Sequence, residues 1–228
     1  MEGSPELTHS FVDGETLDLL HRMYLAVPYP LRRVLTVLTL MAILVAKPLL
    51  NRNRPVPTPR DRLYTLSFWG VPEVDPADFR PRVHGRVDRD LELALPDLDD
   101  RVDVDRWVTL DCVGGTRNVI RMEGVSLEGL WEEAGVTADA EAAIFRCADG
   151  YHEAAALADL RAHDAFLALR VNGEAIRAMG SPLRLAFPGK YGYKWAKWVT
   201  EVELVPGSAQ GLWEDLGLPD RANVGDIF

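Results

Sequence analysis

Three prolines in five residues, Pro55-Val-Pro-Thr-Pro59, divide this chain into parts with different rules of folding. Proline lacks the N–H that helices and inner strands need, so the run is predicted to be a stiff, extended linker over 55–63. Before it, residues 1–54 form an extension. It opens polar, reads as mildly helical over Glu15–Tyr24, and then carries the uncharged run Val34–Ala46 behind the pair Arg32–Arg33. Thirteen residues are short for a membrane span. The run is nonetheless apolar on every face, which suits lipid or a protein groove. Membrane attachment through 34–46 and packing on protein both stay open, as do a membrane-associated and a cytoplasmic location. Export by a twin-arginine signal ranks lower, since roughly thirty residues precede the arginines and no cleavage signature follows.

After the linker the pattern changes to short alternating runs. Strands are predicted at Arg82–Val87, Leu91–Leu95, Trp107–Val113, Asn118–Glu123, Ala142–Cys147, Ala165–Asn172, Leu183–Phe187 and Lys197–Val205. Ser126 is the expected N-cap of a helix over Leu127–Ala134, with Gly135 as its stop. A short helix is expected near Ala156–Arg161. Residues 64–228 therefore read as one α+β domain, with many short strands and few short helices.

Within it, Met179–Val199 stands out. The chain has four lysines, and Lys190, Lys194 and Lys197 all fall here, beside Arg184 and between glycines and aromatics. No Asp or Glu occurs from Ala175 to Thr200, in a chain of net charge −10. Local positive charge with glycines that let backbone N–H groups approach a ligand suits a bound anion such as a phosphate. The acidic whole argues against nucleic acid. The two cysteines, Cys112 and Cys147, lie in no zinc or haem signature. Cys112, in Thr-Leu-Asp-Cys before a glycine pair, reads as a small buried hydrophobe, a nucleophile or a soft metal ligand. No histidine stands at a spacing that links it to Cys112 as a base.

Taken in order, Thr-Leu-Asp-Cys112, Ala148-Asp-Gly-Tyr151, Val171-Asn-Gly-Glu174 and Gly180–Trp198 resemble the molybdopterin-binding domain of the sulfite oxidase family. So do Gly70–Val87 and Gly211–Ala222. The resemblance runs from about Tyr64 to Phe228 and is nearest the one-domain bacterial branch that includes a methionine-sulfoxide reductase catalytic subunit. It implies the sulfite oxidase-like mixed fold, a molybdenum-molybdopterin cofactor and no carboxy-terminal dimerisation domain. By the same resemblance Cys112 is the metal-binding sulfur, and Arg184, Gly192, Tyr193, Lys194 and Lys197 hold the pterin and its phosphate. Ser67, Phe68, Cys147 and Met179 take further cofactor-contacting places, and Tyr151 stands with Cys112 as catalytic.

Three departures bear on the substrate. Many family members carry Arg-Asn-His where this chain has Leu66-Ser67-Phe68, and Met179 replaces a His or Asn. The lost arginine is the one that holds anionic substrate in sulfite oxidases. The expected activity is therefore two-electron oxygen-atom transfer, with reduction of an S-oxide or N-oxide favoured over sulfite oxidation. Loss of activity in a cofactor-binding relic, or a sulfite oxidase using another cation, are the alternatives. With no haem signature, electrons are expected to pass through a separate redox protein or small carrier.

Overall fold

The computed structural model describes residues 22–23, 26–51, 55–67 and 69–226. The helix expected over Glu15–Tyr24 therefore lies largely outside the described residues, and so does Phe68.

Helix α1, Tyr29–Asn51, takes in the whole uncharged run and extends beyond it at both ends. Its first turns are moored to the domain. Arg32 Nη1 donates to the Asp215 carbonyl at 2.8 Å, and a side-chain carbon at Gly217 would lie 3.6 Å from the Arg33 backbone. Leu31, Val34, Leu35, Leu38, Met41 and Val45 are exposed, at spacings that align them as one stripe. Among the described residues no helix is long and apolar enough to cross a membrane.

The proline run is not a loose tether. Thr58 is buried, its N–H donates to Val119 O at 2.8 Å, and its hydroxyl accepts from Val119 N at 2.9 Å. A stretch that cannot form regular structure by itself is laid along the sheet, and Thr58 supplies the pairing its prolines cannot.

Two sheets form the domain. The first has the order β2-β1-β9-β5-β6, from β1 (Arg82–Gly85), β2 (Leu91–Glu92), β5 (Ala142–Cys147), β6 (His152–Ala156) and β9 (Val199–Val205). Only β1 and β9 run parallel in it. The second, antiparallel throughout, has the order β3-β4-β7-β8, from β3 (Val104–Asp111), β4 (Arg117–Ser126), β7 (Phe166–Val171) and β8 (Arg184–Ala186). Phe145, Ile120, Met122, Phe166, Leu185 and Leu204 belong to one shared core. Short helices complete it: α2 (Leu95–Asp99), α3 (Leu127–Ala134), α4 (Leu157–Ala162) and α5 (Leu212–Asp215).

Most predicted elements appear with shifted ends. The Ser126 hydroxyl accepts from Gly129 N at 3.2 Å, and Gly135 ends α3 at φ 70°. Two differences have local causes. Leu91–Leu95 pairs only over Leu91–Glu92, because Pro96 suits a first helical turn and Asp97 accepts the Ala94 N–H at 2.8 Å. Strand β6 escapes sequence reading because His-Glu-Ala-Ala-Ala has little strand propensity, and pairing with β5 decides its conformation.

The register of β4 on β7 shifts between Glu123 and Gly124. A methyl group at Gly124 would lie 2.0 Å from the Leu167 carbonyl oxygen and 2.7 Å from Ala168 Cα. Both are backbone atoms and cannot swing away. Gly124→Ala is expected to cost about 1–3 kcal/mol, as overpacking does. Thermal denaturation should show it as a fall of several degrees in Tm.

Candidate active site

Loops from both sheets meet at one end of the domain. The Cys112 turn follows β3, and a parallel bridge joins Asp111 to Tyr191. A side-chain carbon at Gly192 would be 3.4 Å from Asp111 O and 3.8 Å from Cys112 Cα, so the Gly192–Lys194 turn lies against the cysteine's backbone. Another bridge pairs Arg184 with Lys197. The end of β5 brings Cys147, whose N–H donates to Tyr151 O at 3.0 Å. Residues 64–67 enter from the side, held at Tyr64 by the Asn118 amide, which accepts at 3.1 Å and donates at 2.7 Å.

Cys112 is half-buried and Cys147 buried, and both are thiols. The Cys112 turn is closed by Cys112 N–H to Thr116 O at 2.8 Å and Gly115 N–H to Cys112 O at 2.9 Å. Gly114 N points at its sulfur from 3.3 Å, a donor that favours the thiolate a soft metal requires. Cys147 differs. Burial, and then Asp149 and Glu153, push its thiol well above the ordinary range, which keeps it protonated.

The four basic residues of the stretch fall into two kinds. Lys190 and Lys194 are buried and already neutralised. Lys190 Nζ lies 2.6 Å from Asp159 and donates to Arg221 O and Asn223 Oδ1, both at 2.8 Å. Lys194 Nζ lies 2.8 Å from Glu153, 2.6 Å from Glu214 and 3.3 Å from Asp220. Burial works against that ammonium, but Glu153 and Glu214 outweigh it and its pKa is raised. This corrects the expectation that Lys194 offers its charge to a cofactor anion. Its ammonium belongs to the interior, and only its place in the turn reaches the site.

Arg184 and Lys197 are the other kind. Arg184 is fully buried, donating to Met179 O at 2.6 Å and Trp195 O at 3.3 Å, while its Nε has no partner. Lys197 Nζ donates to Ser67 Oγ at 2.6 Å, Leu66 O at 2.8 Å and Thr65 Oγ1 at 3.3 Å, all neutral oxygens. Among the described residues neither cation is in an ion pair. Desolvation lowers Arg184 to about 10, and desolvation with Arg184's repulsion lowers Lys197 to about 7. Gly180, at φ 107°, lets the chain pass between them, since a methyl group there would be 2.9 Å from Arg184 Cβ and 3.0 Å from Lys197 Cγ. Two neighbouring cations short of countercharge, with an orphaned guanidinium N–H, fit an anionic group. The donor set thus suits molybdopterin phosphate for Arg184 and Lys197, and a soft metal for Cys112.

The remaining expected residues take smaller parts. Ser67 orients Lys197 and Met179 orients Arg184, the latter through its carbonyl. Tyr193 turns its hydroxyl away to Pro219 O at 2.7 Å, leaving Gly192 and the backbone of the turn beside Cys112. Tyr151 Oη contacts Glu153 at 3.0 Å and also the Tyr193 carbonyl. Sequence reasoning missed Asn118, Glu153 and Glu214. Asn118 shows no signal at all, and a buried glutamate reads in sequence like a solvated one.

The oxidoreductase molybdopterin-binding-domain family model matches residues 68–213. Over 148 residues the chain is 31% identical to the Azospira oryzae protein named "Putative protein-methionine-sulfoxide reductase subunit YedZ1", covering 64% of this chain but only 56% of that relative. Sulfite oxidase of Gallus gallus is 26% identical over 189 residues, 69% of this chain and 41% of the relative. The crystal structure of the sulfane dehydrogenase SoxCD from Paracoccus pantotrophus superposes with a TM-score of 0.63 at 23% identity, over 67% of this chain and 44% of that one. That likeness establishes the sulfite-oxidase-like fold. With a family model matched across most of the domain and a buried cation pair fitted to an anion, the chain belongs to the molybdopterin-binding oxidoreductases, and its cofactor is molybdenum-molybdopterin.

Proposed function

We propose that the protein reduces an S-oxide or N-oxide by two-electron oxygen-atom transfer, with electrons delivered by a separate redox protein or small carrier. The cofactor supplies the redox chemistry when bound. The chain's own residues then have distinct tasks. Cys112 offers the sulfur ligand, Arg184 and Lys197 hold the phosphate, and the Gly192–Tyr193 backbone keeps the cysteine turn in place. Tyr151 is assigned to the substrate side by the family resemblance, and its hydroxyl is held by Glu153 and the Tyr193 carbonyl.

The observation that carries the reading is how completely the basic residues are committed. Lys190, the lysine most available for a substrate in sequence terms, is held by Asp159, Arg221 O and Asn223. Lys194 is locked between Glu153 and Glu214. Arg117, beside the cysteine turn, is bidentate on Asp111 at 2.9 and 3.0 Å. Leu66 stands where the family's substrate arginine is expected. Sulfite needs fixed positive charge, and a neutral S-oxide needs none. The name of YedZ1 points the same way.

Turnover of methionine sulfoxide, dimethyl sulfoxide and trimethylamine N-oxide with an artificial electron donor should exceed sulfite oxidation by a few orders of magnitude in kcat/KM, as expected for a missing ion pair worth several kcal/mol. Efficient sulfite oxidation at submillimolar substrate would overturn the reading.

Cys112→Ser should abolish activity and the sulfur-to-metal absorption while the Tm of the cofactor-free protein stays within a few degrees of wild type. Arg184→Ala and Lys197→Ala should each lower pterin content more than Arg101→Ala or Arg161→Ala do. Charge-assisted contacts are worth about 1.5–3 kcal/mol, roughly 10- to 150-fold in affinity. Equal pterin content in all four variants would free both residues from the phosphate.

Lys197 also sets a pH dependence. Its folded pKa, about 7, lies below its ordinary value of 10.5, so between those limits the unfolded chain holds a proton that the folded one has shed. Cofactor-free protein should therefore gain stability as pH rises from 7 to 9, relative to Lys197→Met. Arg184, Asp149 and Cys147 are the ionisable neighbours that shape the shift. Bound phosphate should restore the lysine's proton and flatten the difference, as melting curves with and without cofactor would show.

A further inference from the structure

Strand β3 lies at the edge of the second sheet, and its outer side is open over most of its length. The backbone of β4 shows which groups face that side. Val119 gives its N–H to Thr58 Oγ1 at 2.9 Å and accepts from Thr58 N at 2.8 Å. Arg121 gives its N–H to Asn172 Oδ1 at 3.0 Å and accepts from Asn172 N at 2.7 Å. Both residues therefore turn their backbone groups away from β3. Their register partners, Thr109 and Trp107, must then turn theirs away from β4. Alternation adds Asp105. Among the described residues, no backbone group pairs with the outward N–H and carbonyl groups of these three.

An open edge is a template for another strand, and proteins commonly blunt it with proline, lysine or a bulge. Strand β3 contains neither residue, and its register on β4 is unbroken. Its central charges are held elsewhere. Asp105 accepts from Arg121 Nε at 2.6 Å, while Arg106 donates to the Asp164 carbonyl and lies 5.0 Å over the Phe166 ring. Trp107 is left 57% exposed. At the far end the edge is covered, because Asp111 bridges to Tyr191. The open run is thus Val104–Leu110, and Trp107 is its midpoint.

We propose that β3 pairs antiparallel with β3 of a second copy of this chain, about a two-fold axis between the two Trp107 residues. Trp107 then faces Trp107, Asp105 faces Thr109, and Arg106 faces Val108. Every outward N–H meets an outward carbonyl, giving about six backbone hydrogen bonds, and the two indoles lie side by side on one face. The contact is isologous, so it closes at two copies. Other registers are worse. Centring the axis on Asp105 or Arg106 sets that charge directly against itself, which is destabilising. Centring it on Val108 or Thr109 drives the start of the second strand into Tyr191, which already occupies the edge at Asp111. The pairing joins two four-stranded sheets into one continuous sheet. It sends the two Cys112 turns to opposite ends of the junction, roughly 33 Å apart by strand rise, so neither site faces the other.

Analytical ultracentrifugation of the full chain should show a dimer at micromolar concentration. Mild detergent in the buffer keeps the exposed stripe of α1 from associating. Trp107→Glu and Trp107→Lys should each raise the dissociation constant about 30-fold or more, as loss of a central tryptophan anchor does, at unchanged cofactor content. Mixed in equal amounts, the two variants should associate again, because opposite charges now meet at the axis. Trp107→Cys should form an interchain disulfide on oxidation that wild type does not, since residues facing each other in a hydrogen-bonded pair stand about 5.5 Å apart at Cα. Asp105→Cys, which faces Thr109, should not. Thr109→Pro removes an outward N–H that the monomer does not use, and should weaken the dimer if the Trp107 variants fail to fold. A monomeric wild type would overturn the proposal, and so would a dimer that Trp107→Glu and Thr109→Pro leave intact. Loss of the dimer with neither charge rescue nor the Trp107→Cys cross-link would overturn the two-fold pairing.

Discussion

Unequal neutralisation of buried positive charge is the constraint on which this domain depends. Lys190 and Lys194 are saturated by Asp159, Glu153, Glu214 and the segment 220–223, and so they fasten that segment to the core. Arg184 and Lys197 are bridged to each other by backbone and surrounded by neutral acceptors, and they repel. The first pair closes the fold. The second leaves it short of one anion. The interior carries that deficit because Met179 O, Trp195 O, Leu66 O and Ser67 disperse the charge over fixed dipoles.

The division also explains which features can be read from sequence alone. The helix over Leu127–Ala134 was legible because Ser126 and Gly135 are local signals whose physics is complete within a few residues. The strand Ala142–Cys147 appears with the predicted ends for a similar reason. The lysine concentration was legible as a fact, but its meaning was split. No property of Lys194 distinguishes it from Lys197 in sequence, because the carboxylates that neutralise it come from 41 residues before and 20 after. Long-range partners decide the role of a charged side chain, and spacing within the motif cannot supply them. The same limit hid Asn118, which sets residues 64–67 against Lys197 from a strand elsewhere in the second sheet.

Family resemblance adds what local physics cannot, namely the identity of the anion and of the metal. Geometry then restricts what the resemblance can be taken to mean. Arg184 lies buried beside Lys197, and Met179 meets it through a carbonyl that any residue would provide. A His-to-Met change at that point is therefore tolerated by the arginine's backbone contact, whatever it does to the cofactor's own hydrogen bonding. Resemblance ranks residues by position, and hydrogen bonding ranks them by what their atoms are free to do.

The parallel pairing of β1 with β9 has a consequence for how the protein is made. Arg82–Gly85 must wait on the ribosome for Glu201–Leu204 before the middle of the first sheet can close. Contacts that bridge so much sequence are entropically slow to form. The turn at Gly192–Lys194 is secured later still, by Asp220 and Asn223. A nascent chain released before residue 223 would carry the cysteine turn and both unpaired cations without the segment that locks them. Metal and pterin should thus enter a domain already translated to that point, since a product cut before it would have both sheets but no contacts to hold the Gly192–Lys194 turn against Cys112.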